Sequence, residues 1–538
     1  TNFVATLDRV YIIERDGCRV LDAASGEAVG LFRLPPGPDG VPADWSYIGV
    51  WEDYLIAGSG FVALSEIIPA GGGQGRTPES EEKRGNDPFL NFDQSASRTL
   101  YVLDRHSGRI VWSRQAAHGF LHNGIAAGGG RLFCLDKLPP YAEDRLSRRG
   151  KMPPADYTLA ALDLAGGRVL WERSAEVFGS WLAESAERGI LLQSTRPSND
   201  MVKGEDGRRM IAYRAASGEV LWDRQIEYSS VPILHGDMII TIGRLYSLLT
   251  GDRLGRNHPL TGELIPVTWK RNYGCNYPIA SEHLLTFRSA AAGFYDLDHL
   301  GGTGNLGGFK SGCTSNLIAA DGVLNAPDYT RTCSCSYQNQ TSLALISEPD
   351  AEYWTFNDIE RGKKPIRRVG INFGAPGDRM DDNGTLWLDY PSRGGPSPEV
   401  PVTVTGESLR WFCHHSSKMA GEGLRWVAAS GVTGAREISV RLADQPAGER
   451  PYRLSLVFPA GGEEAEGEGP FDVYVQGRKV LENIDPGQGA AGGGARVMVR
   501  EVGPVLADQE LRLELVPTRK EGQPGTVICG LEIESEGW

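Results

Sequence analysis

No stretch of this 538-residue chain holds the roughly 18 consecutive apolar positions that a membrane-crossing helix needs, so none is expected. Basic residues are outnumbered: 55 Lys and Arg against 69 Asp and Glu leave a formal charge of −14. Binding nucleic acid or an anionic membrane requires a concentrated basic face that neutralises phosphates, so neither is expected as a partner. Charge of this sign mainly favours solubility. Cysteine is sparse, with 8 residues, and never occurs as Cys-x-x-Cys-His, which excludes covalent c-type haem. Gly-x-Ser-x-Gly, His-Glu-x-x-His and the phosphate-loop pattern are also missing, and with them the commonest signatures of serine hydrolases, zinc peptidases and P-loop nucleotide enzymes. A glycosidase or lyase is not excluded, because its carboxylates come from residues far apart in sequence. The opening TNFVATLDRVYII has no charged-then-apolar leader and starts in strand-like sequence. The expectation is an exported protein whose signal is already removed and whose first strand or blade is missing upstream.

What is present is a recurring phrase. LYVLDRHSGRIVW ends at Trp112, LAALDLAGGRVLW at Trp171, MIAYRAASGEVLW at Trp222, and a degenerate LLTGDRLGRNHPLTGELIPVTW at Trp269. In the first, Leu100 to Asp104 and Ile110 to Trp112 flank Ser107-Gly108, where a glycine supplies the positive φ of a tight hairpin turn. One hairpin cannot bury its own apolar faces, so the units must stack, and a Trp at a fixed place suits the wedge between neighbours. With 69 Gly, 32 Pro and 40% apolar content, the chain reads as turn-rich and all-β, and too long for one ordinary domain. A repeat of this period predicts a β-propeller.

The pattern A-L-D-x-x-x-G-x-x-x-W resembles the repeat of the PQQ-like propellers, which include the quinoprotein alcohol dehydrogenases and the non-enzymatic assembly lipoproteins of bacterial outer membranes. The resemblance implies a seven- or eight-bladed PQQ-like propeller over residues 1–347. It implies a fold, and that fold hosts both enzymes and scaffolds. Blades are expected over 3–34, Tyr47 to Trp112, His122 to Trp171, Trp181 to Trp222 and Ile233 to Trp269, with two more beyond. Pro69 to Asp87 reads as an exposed insertion and Pro139 to Pro154 as a polar loop.

Between Tyr273 and Ile346 the sequence gathers Cys275, Cys313, Cys333 and Cys335 among many Asn, Gln, Ser and Thr. Cys333 and Cys335 share one face of a strand, and each can meet a cysteine from a neighbouring strand. Two disulfides involving Cys275 and Cys313 suit an exported β protein. A thiolate site for zinc, copper or another soft metal is the alternative, and buried free thiols are a third. Cys18 and Cys134 lie in apolar strands and read as core.

The quinoproteins that this repeat resembles usually place adjacent cysteines over PQQ, with Glu, Asn and Asp around calcium. This chain has no Cys-Cys pair, and its Cys333-Ser334-Cys335 departs from the pattern. If inner strands open each blade, the polar groups nearest the axial channel are His122, Asn123, Trp181, Arg288, Asn316, Arg331 and Gln338. They either satisfy backbone groups at blade ends or line a small-molecule or glycan site.

After a polar linker over 348–365, residues 366–538 carry non-repeating alternating strands that predict an antiparallel sandwich. INFG, then DDNGTLWLDY, YRLSLVF, FDVYVQGRKVLENID and a final GLEI resemble, in that order, malectin-like domains, which commonly bind carbohydrate. Sugar recognition needs aromatic faces beside carboxylates or amides. The candidates are Asp381, Asp382, Trp387, Asp389, Tyr390, Trp411 and His414, with His415 beside it. For the aromatics the competing role is core packing, and for Asp381-Asp382-Asn383-Gly384 it is a turn. Adjacent strand residues face opposite ways, so His414-His415 is not expected to be a metal pair.

The reading is an exported (periplasmic, cell-surface or extracellular) bacterial protein in which a non-catalytic propeller supports a carbohydrate-recognising sandwich. The alternatives are a quinone- or metal-dependent oxidoreductase working in the propeller channel, and a self-assembling structural protein.

Overall fold

A computed structural model describes residues 2–14, 17–37, 40, 43–62, 95–197, 205–274, 276–307, 316–327, 342–348, 351–463, 465, 468–487, 495–518 and 525–537. They gather into two compact units, Thr1–Asp252 and Arg253–Trp538.

The first unit is a succession of antiparallel meanders. Phe3–Ala5, Arg9–Glu14, Gly17–Asp22 and Ala28–Phe32 pair in chain order. Seven strands follow from Trp45–Trp51 to Val169–Arg173, and among them the long strand Ile110–Gly128 closes one repeat and opens the next. Trp181–Ser185 to Val220–Gln225 form a further sheet of four. The strands that open successive repeats meet: Ile110–Gly128 touches Trp181–Ser185, which touches Ile233–His235. This is the stacking of propeller blades, and the repeats fall where the recurring phrase puts them.

The turn of each phrase has one construction. Asp22 and Asp104 each accept hydrogen bonds from the backbone N–H and hydroxyl of the serine three residues on. The glycine that follows sits at φ near 71° in Gly108, Gly167 and Gly218. Its N–H closes the turn on the carbonyl four residues back. A β-bulge precedes the turn in all four repeats, after Val20, Val102, Ala161 and Ala212. The degenerate fourth phrase contains this turn twice, Ser247 to Asp252 and again His258 to Glu263.

The repeat tryptophans dock onto these turns. Trp112 donates its indole N–H to Leu164 O at 2.8 Å, Trp171 to Ala215 O at 2.9 Å and Trp222 to Leu248 O at 2.9 Å. Each acceptor lies beside the turn of the next repeat. A Cβ on the turn glycine would overlap the indole, at 2.7 Å for Gly167 on Trp112 and 2.8 Å for Gly218 on Trp171. Phe32 takes the same place against Gly108.

Cys18 and Cys134 are buried in this packing, as expected, and burial pushes both thiols up to about 12. The segment expected as a polar loop contains a helix, Pro140–Arg148, because Pro140 opens its first turn and Ala142 and Leu146 bury on Leu138 and Tyr157. Pro69 to Asp87 lies outside the described residues.

In the second unit, Ile279–Ala280, Leu284–Ser289, Ala291–Asp296 and Thr303–Asn305 form a meander completed by Thr355–Phe356. Residues 366 onward build two sheets around one core, to which Ile371, Phe373 and Leu456 contribute from one side and Ile438, Val473 and Leu513 from the other. The pairing departs from the all-antiparallel expectation where Arg368–Phe373 runs parallel to Leu386–Tyr390 and at an isolated parallel bridge between Ala420 and Arg496. Leu260 is buried in the same core, and Arg367 N–H bonds its carbonyl. Cys275, Cys313, Cys333 and Cys335 lie outside the described residues; of the described cysteines in this unit, Cys413 is exposed and the buried Cys529 thiol donates to Ala428 O at 3.3 Å.

Gly218→Ala is expected to cost about 1–3 kcal/mol, from the left-handed φ and the overlap with Trp171 together. Trp171→Phe, which removes the indole donor and some buried surface, is expected to cost about 1–2 kcal/mol. Urea unfolding of the full chain reads both, and a neutral Gly218→Ala would refute the docking role.

Candidate functional site

Of the expected channel residues in the first unit, His122 stands on Ile110–Gly128 with Nε2 2.9 Å from Ser97 Oγ. Ser97 Oγ is 2.6 Å from Ser46 Oγ. The rings of Tyr47 and Phe61 pack on the imidazole at 5.4 and 6.2 Å, and burial lowers its pKa to about 4, so it is neutral at ordinary pH. Ser97 is fully buried, and among the described residues no carboxylate touches His122, so the contact is not a nucleophile poised for substrate. Asn123, the next residue along, is exposed. Trp181 heads its strand half-buried, with an indole N–H that meets no acceptor among the described residues.

In the second unit Arg288 is wholly buried, its guanidinium 5.4 Å from the Tyr273 ring and its backbone N–H on Asn276 Oδ1. Asn316 is half-buried. Arg331 and Gln338 lie outside the described residues. As placed within their own units, the wholly buried Arg288 and the neutral, serine-bound His122 each lack the exposed charged donor that a quinone carboxylate would need.

The sandwich candidates divide by burial. Asp381 Oδ1 accepts the N–H groups of Asn383 and Thr385, both at 2.9 Å, and Oδ2 accepts the Trp387 indole at 3.0 Å. This is the Asx turn that the sequence offered as one reading, and it orients a Trp387 that has no exposed surface. Asp389 is buried and accepts the N–H groups of Arg393 and Gly394. Tyr390 and Trp411 are half-buried and pack edge to face at 5.7 Å. His414 is half-buried beside Phe412, and His415 is exposed, its Nδ1 accepting from Ser417 N–H. Asp382 is exposed, next to Asn383 and Gly384, which line an open cleft of about 580 Å³ together with Arg256, His299 and Arg368.

A further cluster of aromatic side chains begins in the segment expected as a linker. Tyr353 and Trp354 precede the short strand Thr355–Phe356, which is fixed by its pairing with Thr303 and Gly304 and by mutual backbone bonds between Thr355 and Asp378, both at 2.9 Å. Trp354 meets Trp426 edge to face at 6.0 Å, and Trp426 meets Trp387 at 5.8 Å. The guanidinium of Arg379 lies 4.4 Å from the Tyr353 ring and 4.8 Å from the Trp426 ring. Tyr353 is 40% exposed; Trp354, Trp426 and Arg379 are half-buried. The adjacent aromatics in AEYWTF were the available signal, but nothing in the sequence pairs them with Trp426.

Asp378 holds this ledge in place. Its carboxyl is 1% exposed and takes the Ser397 hydroxyl, 2.5 Å from both oxygens, and the Asn357 amide at 3.3 Å. Burial, with a smaller push from the Asp389 charge and against the Ser397 hydrogen bond, raises its pKa from 3.8 to about 7.

Residues 89–241 match the family PQQ_2, described as outer membrane protein assembly factor BamB. A search of curated proteins returned no match. Among solved structures the chain is similar to BamB from Moraxella catarrhalis, at 16% identity and TM-score 0.32 over 60% of this chain and 79% of that one. It is also similar to Kluyveromyces lactis Hsv2 with loop 6CD replaced by a Gly-Ser linker, at 6% identity and TM-score 0.32 over 55% and 77%. The plant receptor-like kinase FER gives 11% and TM-score 0.24 over 31% and 42%. The segment matched by the family contains Trp112, Trp171 and Trp222 with the turns they dock on, so the similarity falls on these repeats.

Because the folded state raises the pKa of Asp378, its stabilising contribution is complete below about pH 4 and is lost as pH rises through 7. Asp378→Asn mimics the protonated group. Thermal melts across this window are therefore expected to show the wild type losing stability relative to the variant as pH rises; parallel curves would refute a raised pKa.

Proposed function

We propose that this chain is an exported, non-catalytic interaction platform in which PQQ-like repeats are the scaffold and a malectin-like sandwich over 366–538 recognises carbohydrate. Support for the scaffold comes from the family match over 89–241 and from tryptophans that lock each repeat to the next. The observation that carries carbohydrate recognition is the ledge of Tyr353, Trp354 and Trp426. It offers aromatic faces to the C–H surface of a sugar ring and indole N–H groups that meet no acceptor among the described residues. Tyr390 and Trp411 are a second aromatic pair, packed against the core of the sandwich itself.

Titration calorimetry against a panel of oligosaccharides tests the reading. Tyr353→Ala is expected to weaken binding about 3- to 10-fold through lost stacking, with an unchanged melting temperature. Failure of every glycan to bind would refute carbohydrate recognition and leave the scaffold standing.

The cysteine quartet is proposed to be two disulfides. Elemental analysis with thiol counting is expected to find no metal and four thiols that appear only on reduction. Metal released in proportion to protein, together with four thiols, would replace the disulfides with a thiolate site.

A further inference from the structure

The side chain of Arg379 carries no ion pair or hydrogen bond among the described residues, a trait it shares with Arg168, Arg253 and Arg496, but of these four it alone lies over aromatic rings. Arg361 pairs with Asp444 at 2.6 Å, Arg105 with Asp8 at 2.8 Å, and Arg209 with Glu176 at 2.7 Å. The Arg379 guanidinium lies against the Tyr353 and Trp426 rings, while its backbone pairs with Trp387. Its neighbour Asp378 does not neutralise it, because that carboxyl is turned to Ser397 and Asn357. A guanidinium has five N–H donors in a planar fork, and stacking on aromatic rings fixes the plane while leaving the edge free. The residue is only partly buried, so the unused donors are not the result of deep burial.

We propose that Arg379 makes this ledge selective for acidic sugars: a uronate residue stacks its ring on Tyr353 and places its carboxylate against the guanidinium. The inference rests on the carbohydrate reading above and adds the charge of the ligand. The matching group is a planar carboxylate, which accepts two parallel N–H bonds from such a fork. The rings supply the remaining selection, because a small free carboxylate has no C–H face to stack. The indole N–H groups of Trp354 and Trp426 stand at the same ledge as further donors for sugar hydroxyls. Binding costs the site no ion pair, since Arg379 has none to break.

The test uses the full chain and oligomers that differ only at C6: β-1,4-hexamannuronate against β-1,4-mannohexaose, and β-1,4-hexaglucuronate against cellohexaose. In at least one pair the uronate is expected to bind about tenfold or more tighter, as a charge-assisted bidentate contact implies. Arg379→Gln should abolish that preference while leaving the neutral partner's affinity unchanged, and Arg379→Lys, with charge but no fork, should retain part of it. Melting curves verify folding; should Arg379→Gln not fold, the lysine variant and Tyr353→Ala carry the test. A uronate preference that survives Arg379→Gln overturns the proposal in favour of diffuse electrostatics. Equal binding of uronate and neutral oligomers, lost in Tyr353→Ala, also overturns it but keeps the carbohydrate reading. Absence of binding by any of the four overturns both.

Discussion

An indole has one polar group, and in three successive repeats it is spent on the backbone beside the next repeat's turn. The order of the first unit depends on this contact. The turn glycine must lack a Cβ for the ring to lie against it, and it must adopt a left-handed φ for the turn to close. One residue type thus meets a packing demand and a backbone demand at once. The bulge before each turn belongs to the same device, since it sharpens the twist of the outer hairpin that carries the tryptophan. Sheets joined in this way bury their apolar faces on one another, as single hairpins cannot.

The second unit is organised around a different constraint, a carboxyl removed from water. Asp378 is tolerated there because a serine hydroxyl and an amide satisfy it and because burial favours its protonated form. In return its backbone holds the strand Thr355–Phe356, and with it the aromatic residues just upstream. Arg379, one residue on, is thereby set against the rings of Tyr353 and Trp426 with its donors uncommitted. The placement of these aromatic side chains follows from how a buried polar group had to be satisfied.

Much of the first unit was legible because its determinants are local. The Asp-x-x-Ser-Gly turn is written within a few residues, and the alternation around it sets the strands. The helix at Pro140–Arg148 was missed because its apolar face is only Ala142 and Leu146, too little to show a period in a polar segment. The candidate sugar residues were chosen by type, and type does not distinguish a Trp387 sealed in the core from a Tyr353 left open.

The sequence by itself determined the repeat, its turn chemistry and the tryptophan that each repeat must bury, because each of these acts over a span shorter than one hairpin. Only the tertiary structure decided which aromatics face solvent and which arginine lies over them. Tyr353, Arg379 and Trp426 are brought together across more than seventy residues by strand pairing and a shared core, and exposure and charge pairing are properties of that assembled surface.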